Sequence, residues 1–299
     1  MTVATPIDLS QLPFPGVVET LDFETIYARR KARLLSLVPA DQVADVTAAL
    51  ELDSEPMAML LQENSYEEIV WRQRVNDAAR ANFLAFAMDG DLDNLVALLG
   101  VQRLVVTPAD PDHNVAEVKE GNTDLRKRAQ LAPLGFSVAG PADAYKSHAM
   151  GADGAVLDIA VKSPQDGRVL VTVLSREGDG TASQALLDKV AATLSADTVR
   201  PLTDHVLLQS AGIVPFAIRA TLFMLPGPDR SLVTAESLRR AQAYAQECRQ
   251  IGREVAVSGI MAALHITGVE RVQLIEPLAD IATTDVQAPY CTAIELGEG

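Results

Sequence analysis

The residues able to do chemistry in this 299-residue sequence are four histidines, two cysteines and forty acidic side chains, and their spacing suits little of it. His113, His148, His205 and His265 stand apart from one another and from any cysteine. Neither HxH nor HExxH occurs, so the short spacing that lets ligands share a zinc ion is missing. The run Gly135-Phe136-Ser137-Val138-Ala139-Gly140 comes close to a nucleophile elbow, but it reads GxSxxG, where the elbow needs GxSxG, and it follows a proline-broken stretch, not a strand. Gly178-Asp179-Gly180 lacks both the Lys-Ser/Thr ending and the GxGxxG spacing of a phosphate cradle. Asp89, Asp91 and Asp93 alternate around Gly90 as in a calcium loop, yet the later glutamate is absent and helix capping accounts for them better. Asp110 and Asp112 lie in a proline loop with no rigid element to aim them, and read as solvated turn residues. No nucleophile, base and orienter stand at a recognisable spacing. The expectation is a protein with no catalytic residues, no cofactor and no metal.

Charge and composition narrow the classes further. A net charge of −15 opposes a nucleic-acid or anionic-membrane partner, because phosphate binding relies on clustered Lys and Arg. Arg29-Arg30-Lys31 and Arg126-Lys127-Arg128 are the strongest basic clusters, and among acidic neighbours each reads as a solvated helix face. Cys248 and Cys291 fall in segments of different type, which excludes a disulfide framework and fits a reducing compartment. The opening MTVATPIDLSQLPFPG has neither a basic n-region nor an apolar h-region, and no apolar run approaches the ~18 residues of a membrane span. These features predict synthesis in the cytoplasm without a signal peptide, and no membrane association.

With chemistry scarce, the elements carry the information. From Ser54 to Gly100 the sequence reads first as one long helix: Ser54 as N-cap, Glu55 in the first turn, Pro56 near the first helical positions, and nothing to break it before Asp89-Gly90. From Glu55 to Met88 such a helix is about 50 Å long. A heptad-like seam runs through Met57, Leu61, Asn64, Glu68, Trp71, Val75, Ala78, Asn82 and Ala85, and a second apolar stripe through Met59, Tyr66, Val70, Leu84 and Met88. Two stripes need two neighbours, which predicts a bundle of several chains, with Asn64, Glu68 and Asn82 setting register. The competing reading is a core helix whose polar seam residues sit at a wet edge.

Around it the pattern is helical up to residue 100. Residues 1–19 read as a proline-containing arm, followed by helices at Asp22–Val38, Asp41–Leu50 and, after the rod, Asp91–Leu99. Beyond Val101 strands appear. Residues 101–210 read as a small α+β domain, with helices at Asn122–Leu131, Pro141–Met150 and Ser183–Leu194 and strands at Ala155–Lys162, Arg168–Leu174 and His205–Gln209. Residues 211–299 read as a second, with strands at Ile213–Leu225, Val269–Ile275 and Tyr290–Leu296 and helices at Ser231–Ile251 and Ser258–His265. The fold class is therefore α+β, with an all-helical segment over 1–100 containing one very long helix, then two α+β domains. Leu222, Phe223, Met224 and Leu225 form an apolar run on the first strand of the last domain that wants cover on both faces, which predicts a copy-to-copy contact there, unless residues 101–210 cover it.

Several stretches are similar, in collinear order, to baseplate J-like proteins of contractile phage tails. They are IDLSQLPFPGVVETLDFETIYARRKARLLSL, LDSEPMAMLLQENSYEEIVWRQRVNDAARA, GDLDNLVALLGVQRL, LAPLGFSVAGPADAYKSHAMGADGAVLDIAVKSP, VRPLTDHVLLQSAGIVPFAI, ATLFMLPGPD and ALHITGVERVQLIEPLADI. The match spans nearly the whole chain and departs at EGNTDLRKRAQLAP, where a more acidic lead-in to the helix is expected. The resemblance implies a structural wedge component of the tail baseplate of a phage or an R-type bacteriocin, assembled in the bacterial cytoplasm. Two copies would pack with a smaller wedge protein through a helical bundle, and C-terminal contacts between copies would link the wedges into a ring around the hub, whose rearrangement releases the sheath. A soluble α/β enzyme with an unrecognised site is the alternative. The charge balance makes a direct prediction: at physiological salt no DNA complex tighter than about 1 μM forms, as fluorescence anisotropy on labelled duplex would read.

Overall fold

A computed structural model of the chain describes residues 12–136, 141–165, 167–196, 204–227 and 229–299, together with Leu9, Val199 and Pro201. The GxSxxG run from Ser137 onward and most of the first eleven residues lie outside this set. Two compact units emerge, Ile7–Leu98 and Leu99–Gly299.

The first unit is helical. α1 (Phe23–Leu35) starts where the Asp22 carboxylate accepts from Thr25 N at 2.8 Å, and α2 (Val43–Ala49) follows. α3 (Pro56–Ala81) is the long helix, 26 residues and about 39 Å. Its N-cap is Glu55, not Ser54, and it stops seven residues short of the expected Met88. The reason is tertiary. Phe83–Ala87 form a turn, with Ala87 N donating to Phe83 O, which swings Phe86 onto Phe14 of the N-terminal arm at 5.0 Å between ring centroids. Leu84 and Met88, expected on a helical stripe, therefore lie beyond the helix. α4 (Asp89–Ala97) closes the unit with Asp89 and Asp91 in its first turn, where carboxylates offset exposed N–H groups.

The second unit mixes helix and sheet. β1 (Val105–Thr107) and β2 (Val118–Lys119) form a small antiparallel pair, and α5 (Asn122–Leu131) and α6 (Ala142–Met150) follow. β3 (Val156–Gln165) pairs antiparallel with β4 (Arg168–Ser175), which crosses through α7 (Gln184–Leu194) to the parallel strand β5 (His205–Ser210). The core of this part is Ile159, Val171 and Val173 against Tyr145, Leu186, Val190 and Leu194. Next, β6 (Gly212–Met224) takes the centre of a second sheet, between antiparallel β7 (Val269–Glu276) and parallel β8 (Gln287–Glu298). α8 (Arg230–Cys248) and α9 (Val257–Leu264) belong to its core, in which Ile218, Ala220 and Leu222 of β6 meet Ala241, Cys248, Ile260 and Leu264. Gly259 has no room for a side chain, since a Cβ there would lie 2.2 Å from the Tyr244 hydroxyl that holds the start of α9. A third small cluster, Leu174, Ala211 and Ala288 with Leu157, Ile213 and Ile251, joins the two sheets. Asp158 reinforces that joint by pairing with Lys146 and accepting from Ile251 N at 3.0 Å.

In the helical unit, charge and amide bonds do as much as apolar packing. Burial alone would raise the Glu68 carboxyl, but Arg29, Arg30 and Arg72 all donate to it and hold its pKa at about 2, against an ordinary 4.5. Arg29, which stays exposed as expected, and the half-buried Arg30 thereby dock α1 to α3. Asn76, buried on α3, accepts from Glu19 N at 3.0 Å and donates to Glu19 O at 2.9 Å, as a neighbouring strand would. Glu68→Gln is expected to cost about 1–3 kcal/mol at pH 7, read by urea denaturation with far-UV circular dichroism. The carboxyl binds its proton at lower pH in the folded chain than in the unfolded one. Its contribution is complete above about pH 4.5 and fades as pH falls toward 2, so the gap between native and variant chains should close across that window.

Candidate assembly surface

The side of α3 that its own unit covers is lined by Ala58, Ser65 and Asn76. The expected seam lies about one residue, or 100° of rotation, away from that stripe. Met57, Asn64, Trp71, Val75, Ala78 and Asn82 are exposed, while Leu61 and Glu68 are half-buried at the boundary. Trp71 and Val75 keep 66% and 61% of their surface in solvent. Asn64 and Asn82 donate back to their own helix, to Leu60 O and Ala78 O at 2.7 Å, so neither orphans a polar group on this face. Glu68 is engaged within the chain, and its arginines already satisfy it. The second stripe is also in water: Met59, Tyr66 and Val70 are exposed, and Leu60 beside them is 64% exposed. Seven large apolar side chains thus stand outside on two stripes of one helix, exposure of the kind that marks a protein interaction surface.

At the other candidate contact, the four residues of the apolar run go to different places. Leu222 is fully buried in its own core under α8 and α9, so no other copy can touch it in the folded chain. Phe223 points to the opposite face, where the Arg271 guanidinium lies 3.7 Å from its ring centroid. Met224 packs partly against the core, and Leu225 is exposed. That opposite face is polar elsewhere, since Arg219 reaches both Glu276 and Glu295 across three strands. The expectation of apolar cover on both faces was drawn from consecutive hydrophobic letters; in the strand they alternate, and one face is served by an aromatic–guanidinium contact.

No constellation for catalysis appears among the described residues. Among the described residues no group of three or more His, Cys, Asp or Glu could hold a metal, and no helix is long and apolar enough to cross a membrane. His113 is not isolated: its Nδ1 lies 2.6 Å from Asp110, which also caps the short turn Pro111–His113, but the pair is exposed on a loop. Cys248 is buried and Cys291 half-buried, both as free thiols. In the second basic cluster Lys127 is exposed as expected, but Arg128 is not. Arg128 is nearly enclosed and bonds the buried Glu120, which also accepts from Leu104 N, so this pair ties the segment after residue 100 to α5. Reading Glu120 with Arg128, eight residues on, as a pair was the available signal, and i,i+3 or i,i+4 patterning does not contain it.

Three family descriptions match in order: the Baseplate J-like N-terminal domain over residues 53–110, the Baseplate J-like central domain over 137–210, and the Baseplate J-like protein C-terminal domain over 216–297. Baseplate protein J of Escherichia phage P2 is 48% identical over 296 residues, 98% of each chain. Among solved structures, a chain in the cryo-EM structure of the anti-feeding prophage baseplate, 6-fold symmetrised, matches 64% of this chain at a TM-score of 0.41 and 14% identity. This chain covers 49% of that one, and a likeness at that level carries no argument. Identity sustained from end to end, with three matching domains in sequence, is a family relationship: the chain belongs to the baseplate J-like family.

Proposed function

We propose that this protein is a structural component of a contractile-tail baseplate, and that it works by assembly and not by catalysis. The observation that carries this reading is the apolar strip on α3, exposed from Met57 to Val75 on a helix whose other side is already spent on α1 and the arm. Its relative of 48% identity is a phage baseplate protein. In this reading two copies pack their α3 helices with a smaller partner protein, and Trp71, Val75, Leu60 and Tyr66 supply the anchors, since large aromatic and aliphatic groups dominate such contacts. Asn64 and Asn82, satisfied by their own helix, lie along that seam as neutral spacers. We further propose three functional parts, residues 1–100 for the bundle, 101–210 as a middle domain and 211–299 as the domain that meets neighbouring copies. At the last of these, Leu225 is the member of the apolar run free to make a contact. A ring of such wedges around the hub would hold the sheath until it contracts.

Val75→Glu and Trp71→Glu test the bundle. Val75 and Trp71 lie in water in the single chain, so each variant should fold with native circular dichroism. In an assembled seam a carboxylate without a partner costs several kcal/mol. The expected result is loss of co-purifying partner and of tail particles when the variant replaces the native chain, scored by light scattering and negative-stain counts. Normal particle yield from both variants would remove the basis of the bundle.

A further inference from the structure

The outer edge of the C-terminal sheet carries a second surface. β8 bonds to β6 on one side and, among the described residues, to no strand on the other. Of the three strands, α8 packs chiefly against β8. Between them lies a groove of about 410 Å³, walled by Leu238, Gln242, Ala245, Gln246 and Arg249 on the helix side and by residues 290–294 on the strand side. Leu238, Gln242, Ala245 and Arg249 recur at intervals of four, three and four, a single stripe, with Gln246 beside it. Five consecutive residues of β8, the edge strand of its sheet, line the groove, and a bulge among them interrupts the alternation of side chains. Pro289, with no N–H to offer, lies just outside it, and Thr292 is the extra residue of a bulge, its hydroxyl donating to Phe216 O at 3.0 Å.

The groove is graded in polarity. Arg249 lies over the Tyr290 ring at 5.3 Å and marks one end, which leaves Leu238 and Ile294 at the other with the two glutamine amides between. Arg249 donates to Gly178 O at 2.9 Å, and its Nε is enclosed with no hydrogen-bond partner. Burial disfavours its charge; Asp179 and Tyr290 partly offset this, while Arg176 adds a second positive charge nearby. Leu238 and Arg249 are eleven residues apart, about 16 Å along a helix, a span that about five residues of extended chain cover.

We propose that this groove receives an extended acidic segment of another baseplate protein, added beside β8 as a fourth strand, with a carboxylate on Arg249 and an apolar side chain about four residues away against Leu238. The identity of the partner as a baseplate protein rests on the assembly reading above. The chemistry of the groove does not. A second copy fits poorly. Two β8 strands joined antiparallel about a two-fold axis would sit about 4.8 Å apart, bringing their overlying α8 helices closer than the 8–10 Å that helix packing needs. The occupant is therefore a strand with no helix riding on it.

The probe is a fluorescein-labelled, end-blocked peptide Leu-Thr-Val-Thr-Glu, measured on the intact chain against its counterpart with glutamine in place of glutamate. The acidic peptide should bind about tenfold more tightly, and amide exchange over residues 290–294 should slow when it binds. Arg249→Gln should abolish the preference. So should Gln246→Glu, which places a like charge on an exposed position one turn from Arg249 and leaves the core alone. The proposal is overturned by no binding at millimolar peptide, by equal binding of the two peptides, or by a preference unchanged in Gln246→Glu. It is also overturned if protection of β8 tracks chain concentration without peptide, which would give the edge to a second copy. All of these readouts use the isolated chain, so their failure leaves the baseplate reading standing, and failure of the Val75 and Trp71 test leaves the peptide preference intact.

Discussion

The Glu68 carboxylate accepts from three guanidiniums, and this junction decides which side of α3 belongs to its own chain. Arg29 and Arg30 come from α1 and Arg72 from α3 itself, so the charge can be satisfied only with α1 in one orientation and one register. Asn76 applies the same logic two turns on, where a buried amide finds both its partners in the backbone of Glu19. Directional bonds of this sort choose among packings that apolar contacts would rank nearly equal. Once α1 and the arm occupy that side, the remaining circumference of α3 has no cover left in the unit. The exposed strip follows from where the arginines point.

Much of the architecture was legible in local pattern. α5 has the bounds its amphipathic spacing predicts, and α7 begins after Ser183, whose hydroxyl accepts from Leu186 N as an N-cap should. Gly100 takes the left-handed conformation expected of it, at φ +70°, although α4 already ends at Ala97 with Leu98 as its C-cap. These features are decided within a few residues of chain. The end of α3 is not: residues 82–88 have helical letters, and it is the tilted ring contact of Phe86 with Phe14, with Arg80 over the Phe14 ring at 4.6 Å, that bends them away. Which stripe of α3 faces its own unit is set in the same non-local way. A period of 3.5 can be drawn through several stripes of an alanine-rich helix, and only the non-local bonds of Glu68 and Asn76 choose the one that faces inward. The groove at β8 was illegible for a different cause, since it needs a helix and a strand more than forty residues apart.

The two sheets also differ in how they are completed. In the middle sheet, β4 is fully paired and its inner residues, Val171 and Val173, are dry. In the C-terminal sheet the well-covered strand is β6, while the face away from the helices is stitched by Arg219, Glu276 and Glu295 and by Arg271 on Phe223. Such a polar face tolerates water, so it makes no demand for a partner of its own. The demands that remain open are local ones: the strip on α3, Leu225 at the end of β6, and the edge of β8.

The pairing of β6 with β8 has a mechanical side. The strands run parallel, in register from Gly212 with Gln287 to Leu222 with Glu298, interrupted by a single bulge. A load applied between the start of β6 and the far end of β8 acts along the strands, and the whole ladder resists in shear. Rungs loaded in shear share the force and fail together, whereas rungs loaded crosswise unzip one at a time. The joint at Ala211, packed with Leu174 and Ala288, feeds that load from the middle sheet into the stiff direction of the last one.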